Sequence, residues 1–184
     1  MSNSRGPAFL CLMSVLLKGF EDLKQTMMYQ DTRMLVLDRK GVITGLSIAN
    51  KKQLFEIISD QLAHVYALDR QQCFDLLMAR EDIGSTGFGR SIAIPHARIE
   101  GLTRPVALFL QLAQPVDYDA VDSEPVDLVW AMLSPVNQGA LHLRALAHVS
   151  RLLRDEALVS QLRGADDNHA IHALLDEKLQ RKAA

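Results

Sequence analysis

His96 occupies the position in this chain best suited to chemistry. It follows Pro95 at the end of a short apolar run, inside the stretch GSTGFGRSIAIPHAR at 84–98. Proline has no N–H to donate and disfavours helix at the residue before it. It is therefore expected to end the pairing of a strand SIAIPH and to leave His96 at the strand's edge. A side chain placed there rests on a rigid element while facing solvent. An imidazole ordinarily titrates near ~6.5, so it is mostly neutral at neutral pH and a competent nucleophile. His142 is the second candidate. It shares a helix face with Leu146, Val149 and Leu153, near the amino end of that helix, which predicts a partly buried ring close to the sheet edge. Two histidines beside a basic residue are also compatible with a metal, but no HxH, HExxH or carboxylate spacing supports one.

The other histidines read as structural. His148 lies in a row with Arg144, Arg151 and Asp155, which predicts a solvated polar face. His169 and His172 fall off the Ile171/Leu174/Leu175 stripe and are expected to be exposed. His64 sits near the end of its helix, where a cation suits the dipole.

The glycines before His96 invite a phosphate, because glycine lets backbone N–H groups turn inward and approach closely. Two well-known phosphate loops do not fit. A nucleotide-binding GxxxxGK[ST] loop needs Lys-Ser/Thr after its second glycine, and here Arg90-Ser91 follow Gly89. The dinucleotide fingerprint runs strand, loop, helix, whereas the order predicted here is helix, loop, strand. Taken alone, the loop reads equally well as a tight connection that needs positive φ.

The elements that must hold these residues are legible from residue 50 onward. Asn50 is expected to cap a helix carrying Leu54, Ile57, Ile58, Leu62 and Val65 on one face. Asp69, with Gln72 as a capping-box-like partner, starts another that carries Cys73, Leu76 and Leu77 and runs to about Glu81. VALFLQLA at 106–113 and VDLVWAML at 126–133 are near-continuous apolar runs, as in strands buried on both faces. Residues 137–155 and 155–163 read as helices, with Gly164 ending the second. Asp166 or Asp167 caps a last helix with Ile171, Leu174, Leu175 and Leu179 inward. LVLDRKGVITGL at 35–46 reads as a hairpin turning at Arg39-Lys40-Gly41. The order of strand, two helices, three strands and three helices predicts an α/β fold, a mixed β-sheet sandwiched between helical layers.

Composition narrows the function classes. A net charge of −2, without a strong Lys/Arg cluster, argues against a nucleic-acid partner. Cys11 and Cys73 form no metal-binding or CxxC spacing, which fits reduced thiols in a cytoplasm. The apolar run AFLCLMSVLL at 8–17 is about half of what a membrane-spanning helix needs, and no small-residue cleavage site follows it. Residues 1–40 are read as an N-terminal extension of unknown role, in which Met27, Met28 and Met34 offer alternative starts.

REDIGSTGFGRSIAIPHARIEG at 80–101 closely resembles the signature of enzyme IIA proteins of the mannitol/fructose class in the phosphoenolpyruvate phosphotransferase system. VDYDAVDSEPVDLVWAML and HLRALAHVSRLLRD resemble the same family, nearest its nitrogen-regulatory branch. The resemblance spans about residues 42–176, and the domain itself is drawn as 41–180. It implies that His96 accepts a phosphoryl group from an HPr-like phosphocarrier protein. It further implies that Arg80 and His142 complete the catalytic group, and that Ser85, Thr86 and Gly87 form the loop receiving the phosphoryl oxygens. No cofactor, metal, nucleic acid or stable membrane insertion is implied. Regulated targets, in potassium transport or nitrogen metabolism, are. The alternatives are a sugar-transport enzyme IIA that passes the group to a membrane transporter's IIB domain, and a binding module in which His96 is inert. Ser91 departs from the glycine found there in many members.

Overall fold

A computed structural model describes residues 34–180, so the apolar run at 8–17 and the rest of the segment through residue 33 lie outside the described residues. Among the described residues six strands form one mixed sheet. They are β1 (Val36–Leu46), β2 (Gly87–Gly89), β3 (Ile92–Ala93), β4 (His96–Ile99), β5 (Val106–Val116) and β6 (Val126–Pro135). The spatial order is β1-β5-β6-β3-β2, and β4 continues the β3 edge of β6. β5 and β6 are antiparallel, whereas β1 lies parallel to β5, and β3 and β4 both lie parallel to β6. The same described residues hold five helices, in chain order α1 (Lys51–Tyr66), α2 (Arg70–Ile83), α3 (Gly139–Leu152), α4 (Glu156–Gly164) and α5 (Asn168–Gln180).

The strand period of two sorts β5 and β6 onto two cores. Val106, Leu108 and Leu110 join Val129, Ala131 and Leu133 against Leu54, Phe55, Ile58 and Leu62 of α1 and Leu77 of α2. Ala107 and Phe109 join Leu128, Trp130 and Met132 against Val149 of α3, Leu158 and Leu162 of α4 and Ile171 of α5. Helices cover both faces, as expected from two strands without polar alternation. The predicted caps are present: Asn50 accepts from the Gln53 N–H and Asp69 from the Gln72 N–H. Each such cap contributes about 1 kcal/mol. Asp155 and Asp167 cap α4 and α5 in the same way.

Three local expectations need correction. Residues 35–46 do not make a hairpin. β1 is one strand with a bulge, in which the step from Leu37 to Val42 lies opposite Ala107 to Phe109. Asp38 accepts from the Lys40 N–H within that bulge, a local turn that the Arg-Lys-Gly sequence mimics. SIAIPH is not one strand ending at His96. Pro95 interrupts the pairing, but β6 is long enough to resume it, and His96 opens β4 opposite Met132. β1 also begins at Val36, inside the segment read as an extension, and Leu35 and Leu37 are core residues.

Candidate phosphoryl-acceptor site

His96, Arg80 and His142 come from three elements and meet at one end of the sheet. β4 is an edge strand, and its burial alternates, with Ala97 and Ile99 inward and His96 and Arg98 outward. Arg80 stands in the last turn of α2. His142 stands in the first turn of α3, in the opposite helical layer, with its ring centroid 5.6 Å from that of His96 and tilted by 46°. All three side chains are partly buried.

The hydrogen bonds fix the state of the His96 ring. Nδ1–H donates to the Ile94 carbonyl at 2.7 Å. A carbonyl can only accept, so Nδ1 carries the proton and Nε2 carries the lone pair. Nε–H of Arg80 donates to that lone pair at 3.1 Å, and Nη1 donates to the Gly84 carbonyl at 2.8 Å. Burial is the largest influence on His96 and pushes its pKa down. The Arg80 charge pushes the same way, while the Ile94 carbonyl and Glu81 oppose it. Burial, then the charges of His96, Arg98 and Arg80, hold His142 down at about 4. Both imidazoles are therefore neutral at neutral pH, and the His96 Nε2 is a free nucleophile apart from its contact with Arg80. Nδ1 of His142 is buried and has no hydrogen-bond partner among the described residues.

The loop from Gly84 to Gly87 lies beside these groups and is tightly held. Ser85 Oγ donates to the Tyr118 carbonyl at 3.3 Å and accepts from the Gly87 N–H at 3.2 Å. The Thr86 hydroxyl donates to the Glu81 carboxylate and accepts from the Tyr118 hydroxyl. That hydroxyl faces the interior, engaged with Glu81 and Tyr118. Gly87 is required by space: a Cβ there would lie 2.6 Å from the Ala120 Cβ and 2.7 Å from its Cα. Beyond it, Arg90 and Ser91 take φ of 60° and 63° between paired Gly89 and Ile92. These are the angles of a tight two-residue hairpin turn, which explains why glycine suits position 91.

Two histidines differ from expectation. His148 is not solvated but 7% exposed, with burial lowering its pKa. The buried stripe of α3 is Ala145, His148 and Val149, one position round from the row centred on Leu146. Small Ala145 gave too little signal to place it. His172 is partly buried, and its Nε2–H donates to the Leu37 carbonyl at 3.0 Å. His169 is exposed as expected, and His64, near the end of α1, is exposed as well.

The sequence reading missed Glu81, Lys51 and Tyr118. Glu81 is 7% exposed and lies four residues after Leu77 and eight after Cys73, so a carboxylate sits on the apolar stripe of α2. That misplaced charge was the available signal. Among the described residues no group of three or more His, Cys, Asp or Glu is arranged to hold a metal ion. No described helix is long and apolar enough to cross a membrane.

Residues 35–178 match the family described as "Phosphoenolpyruvate-dependent sugar phosphotransferase system, EIIA 2". The chain is 37% identical over 143 residues to a nitrogen regulatory protein of Escherichia coli (strain K12), covering 77% of this chain and 88% of that protein. The crystal structure of nitrogen regulatory protein IIA-Ntr from Neisseria meningitidis superposes with a TM-score of 0.72 at 30% identity, covering 76% of this chain and 96% of that one. The crystal structure of IIA mannitol from Escherichia coli shares the fold, with a TM-score of 0.65 at 20% identity over 76% of this chain and 99% of that one.

Proposed function

The chain belongs to the EIIA 2 family of the phosphoenolpyruvate-dependent sugar phosphotransferase system and is similar to its nitrogen regulatory proteins, and on that premise we propose that it accepts a phosphoryl group on Nε2 of His96 from an HPr-like carrier and signals by its phosphorylation state. The observation that carries this reading is the ring itself. Its proton is held on Nδ1 by Ile94, and its lone pair is directed at the guanidinium of Arg80.

The chemistry follows from that arrangement. The Nε2 lone pair attacks the phosphorus of the carrier's phosphohistidine. One N–P bond forms as the carrier's breaks, and the carrier's ring leaves with the electron pair. Such a loose transition state needs positioning and charge stabilisation rather than covalent help. Arg80 gives up its contact with Nε2 and turns its fork of donors to the phosphoryl oxygens. His142, neutral and at the positive amino end of α3, offers an N–H to the same oxygens. The Ile94 carbonyl stabilises the positive charge that the His96 ring gains. The donor arrives already activated, so no nucleotide or metal is required.

A protein donor also needs a place to land. Ile83, Val121 and Leu143 are large apolar side chains left exposed. Ile83 follows Arg80 at the end of α2, Leu143 follows His142, and Val121 adjoins Ala120, which abuts Gly87. Placed next to residues of the site along the chain, they are read here as apolar contacts for a docking carrier. Phosphorylation then places close to two negative charges within that surface, which alters what binds there.

Incubation with labelled phosphoenolpyruvate, enzyme I and an HPr-like carrier tests the reading. An acid-labile label on the wild type that disappears in His96→Ala is expected. No label on the wild type would reject it, and passage of the label to a sugar would favour transport over regulation.

A further inference from the structure

Three successive hydrogen bonds run from Glu81 to the ring of His96. The Thr86 N–H donates to both Glu81 carboxylate oxygens at 3.0 Å. The Thr86 carbonyl accepts from the Ile94 N–H at 2.9 Å. The Ile94 carbonyl accepts from Nδ1–H of His96 at 2.7 Å. Ile94 lies in the gap between β3 and β4, where ladder pairing to β6 is interrupted. In that gap the N–H of Ile94 is tied to residue 86, while Pro95, which has no N–H, is held through its carbonyl by the Met132 N–H at 2.9 Å.

Residue 86 is in turn tied to Glu81, through both its N–H and its hydroxyl. The carboxylate is buried and is neutralised by Lys51, whose Nζ lies 2.9 Å from Oε1. Lys51 also donates to the Tyr118 carbonyl at 2.7 Å and sits 4.4 Å from the centre of the Tyr118 ring, while the Tyr118 hydroxyl donates to Thr86. Buried ion pairs are poor sources of stability, because desolvation offsets their attraction. Their use lies in holding one geometry, and here the carboxylate is bonded to both the N–H and the hydroxyl of Thr86, in the loop behind His96.

We propose that Glu81, neutralised by Lys51, is a positioning residue that sets the tautomer and angle of the His96 imidazole through Thr86 and Ile94. This deepens the reading of His96 as phosphoryl acceptor and rests on it. With Glu81 in place, Ile94 is anchored, its carbonyl holds the proton on Nδ1, and Nε2 faces the incoming phosphorus. Without the carboxylate, Thr86 keeps only the contact of its hydroxyl with Tyr118, the tie to Ile94 loosens, and the ring gains access to the other tautomer.

The test is the ¹⁵N chemical shifts of the two His96 ring nitrogens at neutral pH in wild type and Glu81→Leu, which removes both acceptor oxygens. The wild type is expected to show a protonated Nδ1 and a bare Nε2. In Glu81→Leu the two shifts should move toward each other, and phosphoryl transfer should fall about ten- to hundredfold, as when the partner behind a functional histidine is removed. A folded Glu81→Leu protein with wild-type ¹⁵N shifts overturns the proposal, even if transfer is slow. Should Glu81→Leu not fold, Thr86→Val removes the hydroxyl tether alone, while Thr86→Ser keeps it. A shift change in Val but not in Ser supports the proposal, and wild-type shifts in both overturn it. A wild type that takes up no phosphoryl group would sink the acceptor reading, and the shifts would still decide the role of Glu81.

Discussion

Nε of Arg80 lies 3.1 Å from Nε2 of His96, so the residue at the end of α2 covers the lone pair at the start of β4. The contact holds the ring in the resting state, and the same guanidinium is the nearest cation for an arriving phosphoryl group. Arg80→Ala should therefore slow phosphorylation of His96 by about 10²–10³-fold, the cost of losing one preorganised donor. Arg80→Lys should recover only part of the rate, because a point charge cannot replace a planar fork. Single-turnover labelling by a phosphorylated carrier measures both, and an undiminished rate in Arg80→Ala would remove that side chain from the mechanism.

His142 gives a pH prediction. Its folded pKa of about 4 lies below the ~6.5 of an unfolded chain. Between those values the unfolded chain binds more protons than the folded one, so stability falls as pH drops through the window. His96 and His148 are lowered as well and act in the same direction. Urea midpoints should decline from pH 7 to pH 4.5, and His142→Gln should flatten the decline. An equal slope in both proteins would contradict the burial of that ring.

Gly87 and Gly84 separate space from sequence pattern. Gly87→Ala drives a Cβ into the backbone of Ala120 and should cost about 1–3 kcal/mol, with slower phosphorylation as the loop is pushed from its place. Gly84→Ala meets nothing within 4 Å and should be mild by comparison. Thermal denaturation of the two variants orders them, and equal stability would show that the loop at Ala120 yields freely.

Ser91 is strained where it stands. A side chain at φ 63° costs roughly 1–2 kcal/mol, and glycine returns part of that gain through the freedom of the unfolded chain. Ser91→Gly should stabilise the protein by about 0.5–1 kcal/mol, a rise of roughly 2 °C in Tm. A lower Tm would mean that the Ser91 side chain holds the turn in a way the angles do not express.

Much of this molecule was legible along the chain because the forces involved act over a few residues. Asn50, Asp69 and Asp167 cap helices through N–H groups two or three residues on. The unbroken apolar runs of β5 and β6 announced a sheet covered on both faces. Pro95 marked a break, and the motif around it marked His96. The caps, the layers and the candidate acceptor were thus properties of the sequence by itself.

Tertiary structure decided what depends on distant partners. Whether Pro95 ends a strand or only interrupts one turned on the length of β6 opposite it. Whether 35–46 folds back on itself turned on β5, which offered β1 a parallel partner. The rotation of α3 that buries His148 and brings His142 to His96 was set by packing against the sheet, to which an alanine contributes as fully as a leucine signals. Glu81 looked like one more helix carboxylate until Lys51, Thr86 and Tyr118 closed around it. Local propensity is written in neighbouring side chains, but the direction of a ring and the company of a buried charge are fixed only when remote segments compete for the same space.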